Sequence, residues 1–108
     1  MHVLATSIPS IAGVTKSVKH TVRDPREAAT LRAGEILVTQ ATDPGWTPVL
    51  PLVSGLVLEI GGQLSHGAIV AREYDLPAVV NVIGATRSIS DGQMITVDGT
   101  NGRVLLET

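Results

Sequence analysis

Short runs of Val, Ile and Leu recur along the 108-residue chain, and glycine, proline or polar turn residues end each run. Runs of this length and composition are typical of β-strands. We predict strands at 18–22, 35–39, 55–60, 78–80, 94–97 and 103–106. We predict short helices at 26–31, 49–53 and 65–73. The sequence therefore predicts a single compact α/β domain over residues 1–108.

Composition and charge exclude several classes of function. The chain has no cysteine, which rules out disulfides and cysteine-based metal sites and is compatible with a cytoplasmic location. The net charge is −2 and no basic face is visible, so we expect no nucleic-acid partner. No apolar run is long enough to span a bilayer, and residues 1–5 lack the basic start of a signal peptide. We therefore expect a cytoplasmic protein with no membrane partner.

The stretch from Ile60 to Val80 contains the candidate site. A predicted strand ends, Gly61 and Gly62 turn the chain, and a helix begins at or just before Ser65 and His66. Glycines let backbone N–H groups approach a bound group, and a helix N-terminus attracts anions. His66 would hold its imidazole beside this anion site. The imidazole of a histidine has a pKa of about 6.5 in model peptides, so its neutral, nucleophilic form is available near pH 7. The pattern suits a histidine that accepts and donates a phosphoryl group.

Each candidate residue also has a structural interpretation. His66 could be a helix-cap histidine, and Ser65 a plain N-cap that neither orients the ring nor touches phosphate. Gly61 and Gly62 could only make a turn. The second ring nitrogen of the histidine needs a hydrogen-bond partner, a hydroxyl or a carbonyl, which the sequence does not identify.

The other candidate residues are less sharply defined. Arg72 lies roughly 9 Å along the helix from His66 at about 1.5 Å per residue, so a surface or interdomain salt bridge is favoured over phosphate binding. Thr47 and Trp46 could line the site or contact a partner domain, and Trp46 could equally belong to the core. His2, in a terminus expected to fray, and His20, in an alternating strand, are assigned no role.

The sequence from Gly61 to Glu73 resembles the signature of the mobile phosphohistidine domain of phosphoenolpyruvate-utilising enzymes. These include phosphoenolpyruvate synthase, pyruvate phosphate dikinase, enzyme I of the sugar phosphotransferase system and rifamycin phosphotransferases. The resemblance covers nearly the whole chain, through segments 34–38, 43–48, 76–80, 91–92 and 97–102. Two departures stand out. Leu64 occupies the place where several members carry a threonine, and this threonine is regulatory in the dikinases. Residues 11–13 differ from the family's usual Ser-Pro-Gly.

The resemblance implies a swivelling β/β/α domain in which His66 is phosphorylated on its ring. The phosphoryl group would come from an ATP-grasp nucleotide-binding domain or a phosphoenolpyruvate site. It would pass to a second substrate domain, where pyruvate, a carrier protein or an antibiotic hydroxyl accepts it. ATP and Mg²⁺ are expected on the partner domain, in the same or a separate chain, and no cofactor or metal on this one. The domain would thus be part of a kinase-type transferase without turning over alone.

Other functions remain to be compared with this one. A serine hydrolase pair is excluded, because adjacent residues such as Ser65 and His66 diverge by about 100° on a helix. A metal enzyme is disfavoured, because Asp43, Glu59 and Glu73 follow no recognisable ligand spacing. Two alternatives stay open: a stand-alone phosphocarrier protein, and a swivelling-fold binding module that is never phosphorylated.

Overall fold

Seven strands and two α-helices form the described part of the computed structural model. That part covers residues 2–6, 14–21, 31–60, 65–88, 92–100 and 102–106. The elements are β1 (His2–Thr6), β2 (Val14–Thr21), β3 (Ile36–Thr39), β4 (Gly55–Leu58), α1 (His66–Glu73), β5 (Ala78–Val79), α2 (Ala85–Ser88), β6 (Met94–Asp98) and β7 (Arg103–Leu106). Short 3₁₀ helices span Pro44–Trp46 and Leu50–Leu52.

The seven strands form one sheet in the order β1-β7-β6-β2-β3-β4-β5. Strands β1, β7, β6 and β2 pair antiparallel, whereas β2, β3, β4 and β5 pair parallel. β2 belongs to both halves. Its first five residues pair with β6, and Lys19, His20 and Thr21 pair with β3. This strand therefore connects the antiparallel half to the parallel half.

Strands β3, β4 and β5 are buried on both faces, which explains their nearly continuous apolar sequence. Side chains that alternate along a strand point to opposite faces. One face packs against α1, and this α1-side cluster includes Leu37, Leu56, Leu58, Ala68 and Ala71. The other face packs against the antiparallel strands, and this β-side cluster includes Ile36, Val38, Val57, Val97 and Val104. The molecule thus has β, β and α layers, and the predicted α/β class with β/β/α layering is confirmed.

Helix α1, which was predicted from the sequence, connects the parallel strands β4 and β5. The Ser65 hydroxyl accepts a hydrogen bond from the Ala68 N–H at 3.4 Å, and extended backbone at Ser65 makes it the N-cap. The helix ends at Glu73, and the Leu76 N–H returns to the Ala71 carbonyl at 2.8 Å. Because α1 follows β4, its N-terminus lies at the carboxyl edge of the parallel strands.

Several elements differ from the sequence-based predictions. β1 was not predicted, and the expectation that His2 lies in a frayed terminus is wrong, because its backbone pairs with Leu106 in β7. Helix α2 was also missed, and β2 begins at Val14 rather than at residue 18. The helix predicted at 26–31 lies outside the described residues except for Leu31, which is buried and not helical. In the described ranges no helix has the length and apolarity needed to cross a membrane.

Candidate functional site

The candidate site lies where the loop after β3 meets the first turn of α1. The Glu59 and Ile60 N–H groups donate to the Thr39 and Gln40 carbonyls at 3.1 and 2.9 Å, which keeps the chain paired beyond the ends of β3 and β4. The loop then continues to Thr42. Parallel sheets present ligand sites outside the carboxyl ends of their strands. His66, the first residue of α1, lies at this edge.

Two threonine hydroxyls hold the imidazole of His66 from opposite sides of the ring. The Thr42 Oγ1 lies 3.0 Å from Nδ1, and the Thr47 Oγ1 lies 3.3 Å from Nε2. All three side chains are partly buried. A hydroxyl can donate or accept, so each threonine can serve a protonated or an unprotonated ring nitrogen. The two contacts fix the orientation of the ring while leaving one nitrogen able to act as a nucleophile.

Gly67 allows α1 to begin close to β4 and to Thr42. A Cβ atom at this position would lie 2.7 Å from the Leu58 Cδ1 and 2.7 Å from the Thr42 Oγ1. Both distances are shorter than real Cβ contacts, so any larger residue would push the helix or the threonine away. The glycine next to His66 therefore sets the position of the hydroxyl that holds Nδ1.

The residues predicted from the sequence fall into four groups. Thr47 lies beside His66, and Ser65 caps the same helix turn. Arg72 is exposed in the last turn of α1, at the end of the helix away from His66. Trp46 is buried in the α1-side cluster, which supports its interpretation as a core residue. Gly61 and Gly62 lie outside the described residues.

Sequence analysis missed Thr42 and assigned no role to Gly67. Thr42 is 24 residues from His66 and sits in a loop rich in turn formers, where a threonine is unremarkable. No local pattern connects the two positions, so only the tertiary structure brings them together. A signal for Gly67 was present in the sequence, because a glycine in the first turn of a helix is costly unless close packing requires it.

Acidic side chains near the site have structural partners. The Asp43 Oδ1 accepts from the Gly45 N–H at 2.8 Å and caps the 3₁₀ helix that contains Trp46. The Glu59 Oε2 accepts from the Thr86 N–H and Oγ1 at 2.8 and 2.7 Å. Within the ranges that the structure describes, no three His, Cys, Asp or Glu side chains are grouped so that they could hold a metal ion.

Comparison with known protein families agrees with this architecture. Residues 31–102 match the family model of the PEP-utilising enzyme, mobile domain. The chain belongs to this family. It is 50% identical over 97 residues to the rifampicin phosphotransferase of Bacillus cereus. This alignment covers 90% of this chain and 11% of that enzyme. It is 41% identical over 103 residues to the phosphoenolpyruvate synthase of Aeropyrum pernix, covering 94% of this chain and 13% of that enzyme.

A solved structure supports the family assignment. A solution structure of Enzyme I aligns with a TM-score of 0.65 and 29% identity, over 75% of this chain and 34% of that chain. The mobile-domain chain therefore spans about a tenth of the curated relatives named above and about a third of the solved one. These relatives are enzymes much longer than the chain, and the chain matches one domain of them.

Proposed function

We propose that this mobile domain is the phosphoryl carrier of a multidomain phosphotransferase and that His66 is its transient phosphoryl acceptor. The observation that supports this most strongly is the imidazole held between Thr42 and Thr47 at the first residue of α1. An ordinary helix-cap histidine needs only one hydrogen bond. A ring fixed at both nitrogens, at the edge where parallel sheets place ligands, suits a nucleophile that must meet an external phosphoryl group.

In the proposed reaction Nε2 is the nucleophile. The Nδ1–H donates to the Thr42 Oγ1, the shorter of the two contacts, which leaves the lone pair on Nε2. As the Nε2–P bond forms, the bond from phosphorus to the donor's leaving oxygen breaks, and that oxygen keeps the electron pair. The ring becomes a cation that Thr42 stabilises. In the second transfer an acceptor oxygen attacks phosphorus, and the Nε2–P electron pair returns to the neutral ring.

The first turn of α1 is proposed to stabilise the phosphoryl group. Thr47, whose hydroxyl donates to Nε2 before reaction, can rotate that hydroxyl to a phosphoryl oxygen afterwards. The helix N-terminus supplies unpaired N–H groups and partial positive charge. We assign Ser65 and the backbone of Gly61 and Gly62 to the same task, with Ser65 acting mainly through the N-cap that orders the turn. Arg72, at the other end of α1, is assigned to contact with a neighbouring domain.

The remaining chemistry is assigned to partner domains. The chain spans 11% of the Bacillus cereus rifampicin phosphotransferase and 13% of the Aeropyrum pernix phosphoenolpyruvate synthase, so a complete enzyme of this kind has ample room for them. We propose an ATP-grasp domain that binds ATP and Mg²⁺ and donates the phosphoryl group. A second domain would transfer it to pyruvate or to an antibiotic hydroxyl. The carrier by itself would complete no turnover.

A domain exchange tests this function. The matching 97 residues of the Bacillus cereus enzyme are replaced by this chain, and ATP-dependent phosphorylation of rifampicin is measured. His66→Ala should abolish the activity of the exchanged enzyme. His20→Ala, which removes a histidine on β2, is the matched control and should keep it. Full phosphotransfer by the His66→Ala enzyme would refute the proposed function.

A further inference from the structure

The two hydroxyls that contact His66 come from one short loop. Thr42 and Thr47 lie on either side of the single 3₁₀ turn at Pro44–Trp46. Their Oγ1 atoms reach opposite nitrogens of the same ring, at 3.0 and 3.3 Å. An imidazole can keep both contacts only while the two threonines stay at a fixed distance from each other. The shape of this segment, which we call the Thr42–Thr47 loop, therefore decides how firmly the ring is held.

Both ends of the Thr42–Thr47 loop are anchored to the rest of the domain. Before the loop, the Ile60 N–H donates to the Gln40 carbonyl at 2.9 Å. Towards its end, Trp46 is 3% exposed in the α1-side cluster, and its carbonyl accepts from the Val49 N–H at 2.9 Å. These contacts fix where the loop starts and where it ends. The path of the chain between the two anchors depends in addition on hydrogen bonds within the loop.

Asp43 supplies a side-chain hydrogen bond inside this loop. Its Oδ1 accepts from the Gly45 N–H at 2.8 Å, and its extended backbone, with a φ of −138°, makes it the N-cap of the 3₁₀ turn. Its carbonyl accepts from the Trp46 N–H at 2.9 Å. Asp43 directly follows Thr42, so a change in its backbone angles would move that threonine relative to the turn. The cap thus holds the turn that separates the two threonines.

We propose that Asp43 is a positioning residue for phosphoryl transfer, because its cap on the turn keeps both threonine hydroxyls at the ring nitrogens of His66. This rests on the function proposed above. The Asp43 carboxylate is bonded to the backbone of the loop, so its effect on the ring passes through the two threonines. The role requires a side-chain oxygen that accepts from the Gly45 N–H, and it does not require negative charge.

Two substitutions separate the effect of the cap from the effect of the charge. Asp43→Ala removes the acceptor, whereas Asp43→Asn keeps a carbonyl oxygen, and Asn caps a helix about as well as Asp does. Loss of a cap shifts a local equilibrium about fivefold, so phosphoramidate, a small chemical phosphoryl donor, should label His66 of Asp43→Ala about fivefold more slowly than that of the wild type. Asp43→Asn should be labelled within about twofold of the wild-type rate. The rates are measured by mass spectrometry.

Ser54→Ala is the matched control for loss of an exposed hydrogen bond. The Ser54 Oγ donates to the Gly34 carbonyl at 2.7 Å, and Ser54 immediately precedes β4, at the amino edge of the parallel strands. Its loss should lower the thermal midpoint about as much as Asp43→Ala does, and the labelling rate of His66 should stay within about twofold of the wild type. Equally slow labelling of Ser54→Ala would attribute the slow rate to general destabilisation and overturn the proposal.

Nitrogen NMR of the histidine rings reports how His66 is held without any phosphoryl transfer. The chemical shifts of the two ring nitrogens differ between the Nδ1–H and the Nε2–H tautomers, and His66→Ala identifies which signals belong to this residue. The wild type, Asp43→Asn and Ser54→Ala should show mainly the Nδ1–H form. Asp43→Ala should show a more even mixture of the two forms, because the threonines no longer stay at fixed positions.

The two measurements separate failure of the positioning role from failure of the carrier function. Suppose that phosphoramidate labels His66 of the wild type, and that Asp43→Ala matches the wild type in rate and ring signals. The positioning role is then overturned and the carrier function stands. Slow labelling of Asp43→Asn also overturns the positioning role, because the charge and not the cap would then matter. If His66 of the wild type is not labelled, the carrier function fails, and the positioning role in transfer fails with it.

Discussion

At the scale of single residues, the proposed carrier role depends on the Thr42 hydroxyl that contacts Nδ1 of His66. Thr42→Val keeps the shape of the side chain and removes the hydroxyl 3.0 Å from Nδ1. A hydrogen bond of this kind contributes a net of about 0.5–1.5 kcal/mol, so phosphorylation of His66 by phosphoramidate should slow by roughly 2- to 13-fold. The rate is measured by mass spectrometry over time.

Thr42→Ser is the control for this prediction, because it restores the hydroxyl and should react at close to the wild-type rate. A Thr42→Val protein that is labelled as fast as the wild type would show that the Nδ1 contact does not prepare the ring for attack.

At the level of residues, the sequence singled out candidates where the signal was local. His66 and Ser65 stand out because a strand, a glycine pair and a helix start follow one another in a short stretch. Thr47 was singled out with Trp46 from a loop full of turn formers, and the structure places it against Nε2. Thr42 could not be found in this way, since its contact with His66 depends on how the β3 loop and α1 pack together.

At the scale of elements, the position of α1 depends on a glycine in its first turn. Gly67→Ala should gain up to about 1 kcal/mol of helix propensity, but the new Cβ overlaps Leu58 and Thr42. Overpacking of this kind costs about 1–3 kcal/mol, so we expect a net fall in the free energy of unfolding, measured by urea denaturation. Labelling of His66 should slow as well, because Thr42 is displaced.

Glu73→Ala provides the comparison within the same helix. Glu73 is exposed at the end of α1, and its replacement should change the free energy of unfolding by no more than about 0.5 kcal/mol. If Gly67→Ala were as stable and as reactive as Glu73→Ala, the close approach of α1 to β4 would have no role in forming the site.

The elements that the sequence predicted are those with strong local patterns. β3, β4, β6, β7 and α1 were placed within two residues of their observed bounds. β1 is different, because it exists by pairing with β7, about a hundred residues away in the chain. The four-residue helix α2 is held by the bonds from Thr86 to Glu59, which no periodicity reveals.

At the scale of the whole molecule, the parallel strands are shared by both core clusters. Trp46, the only tryptophan, lies in the α1-side cluster, while Val104 is fully buried in the β-side cluster. Because β3 and β4 contribute side chains to both clusters, we expect the layers to unfold together. Val104→Ala should therefore lower the stability reported by Trp46 fluorescence by about 1–3 kcal/mol.

The measurement compares Trp46 fluorescence with far-UV circular dichroism during urea denaturation of wild type and Val104→Ala. The two signals should change at one common midpoint, shifted equally by the substitution. Suppose that Val104→Ala leaves the Trp46 fluorescence transition at the wild-type urea midpoint but adds a transition at lower urea in circular dichroism. This result would show that the layers unfold independently.

The overall class of the molecule followed from the sequence, but its connectivity did not. Short β-branched runs and one amphipathic helix were enough to predict an α/β domain. The layering was implied by the family resemblance and not by the periodicity of the residues. The double pairing of β2, with β6 at one end and β3 at the other, depends on long-range contacts that neither source specified.

The carrier function is tested most directly by mapping the sites of phosphorylation after brief treatment with phosphoramidate. The chain has three histidines, so His2 and His20 serve as internal controls. Our account predicts that His66 gains an acid-labile phosphoryl group well before the other two, because its ring is held by Thr42 and Thr47 at the start of α1. If His66 reacts no faster than His2 and His20, the site is not prepared for phosphoryl transfer and the account is contradicted.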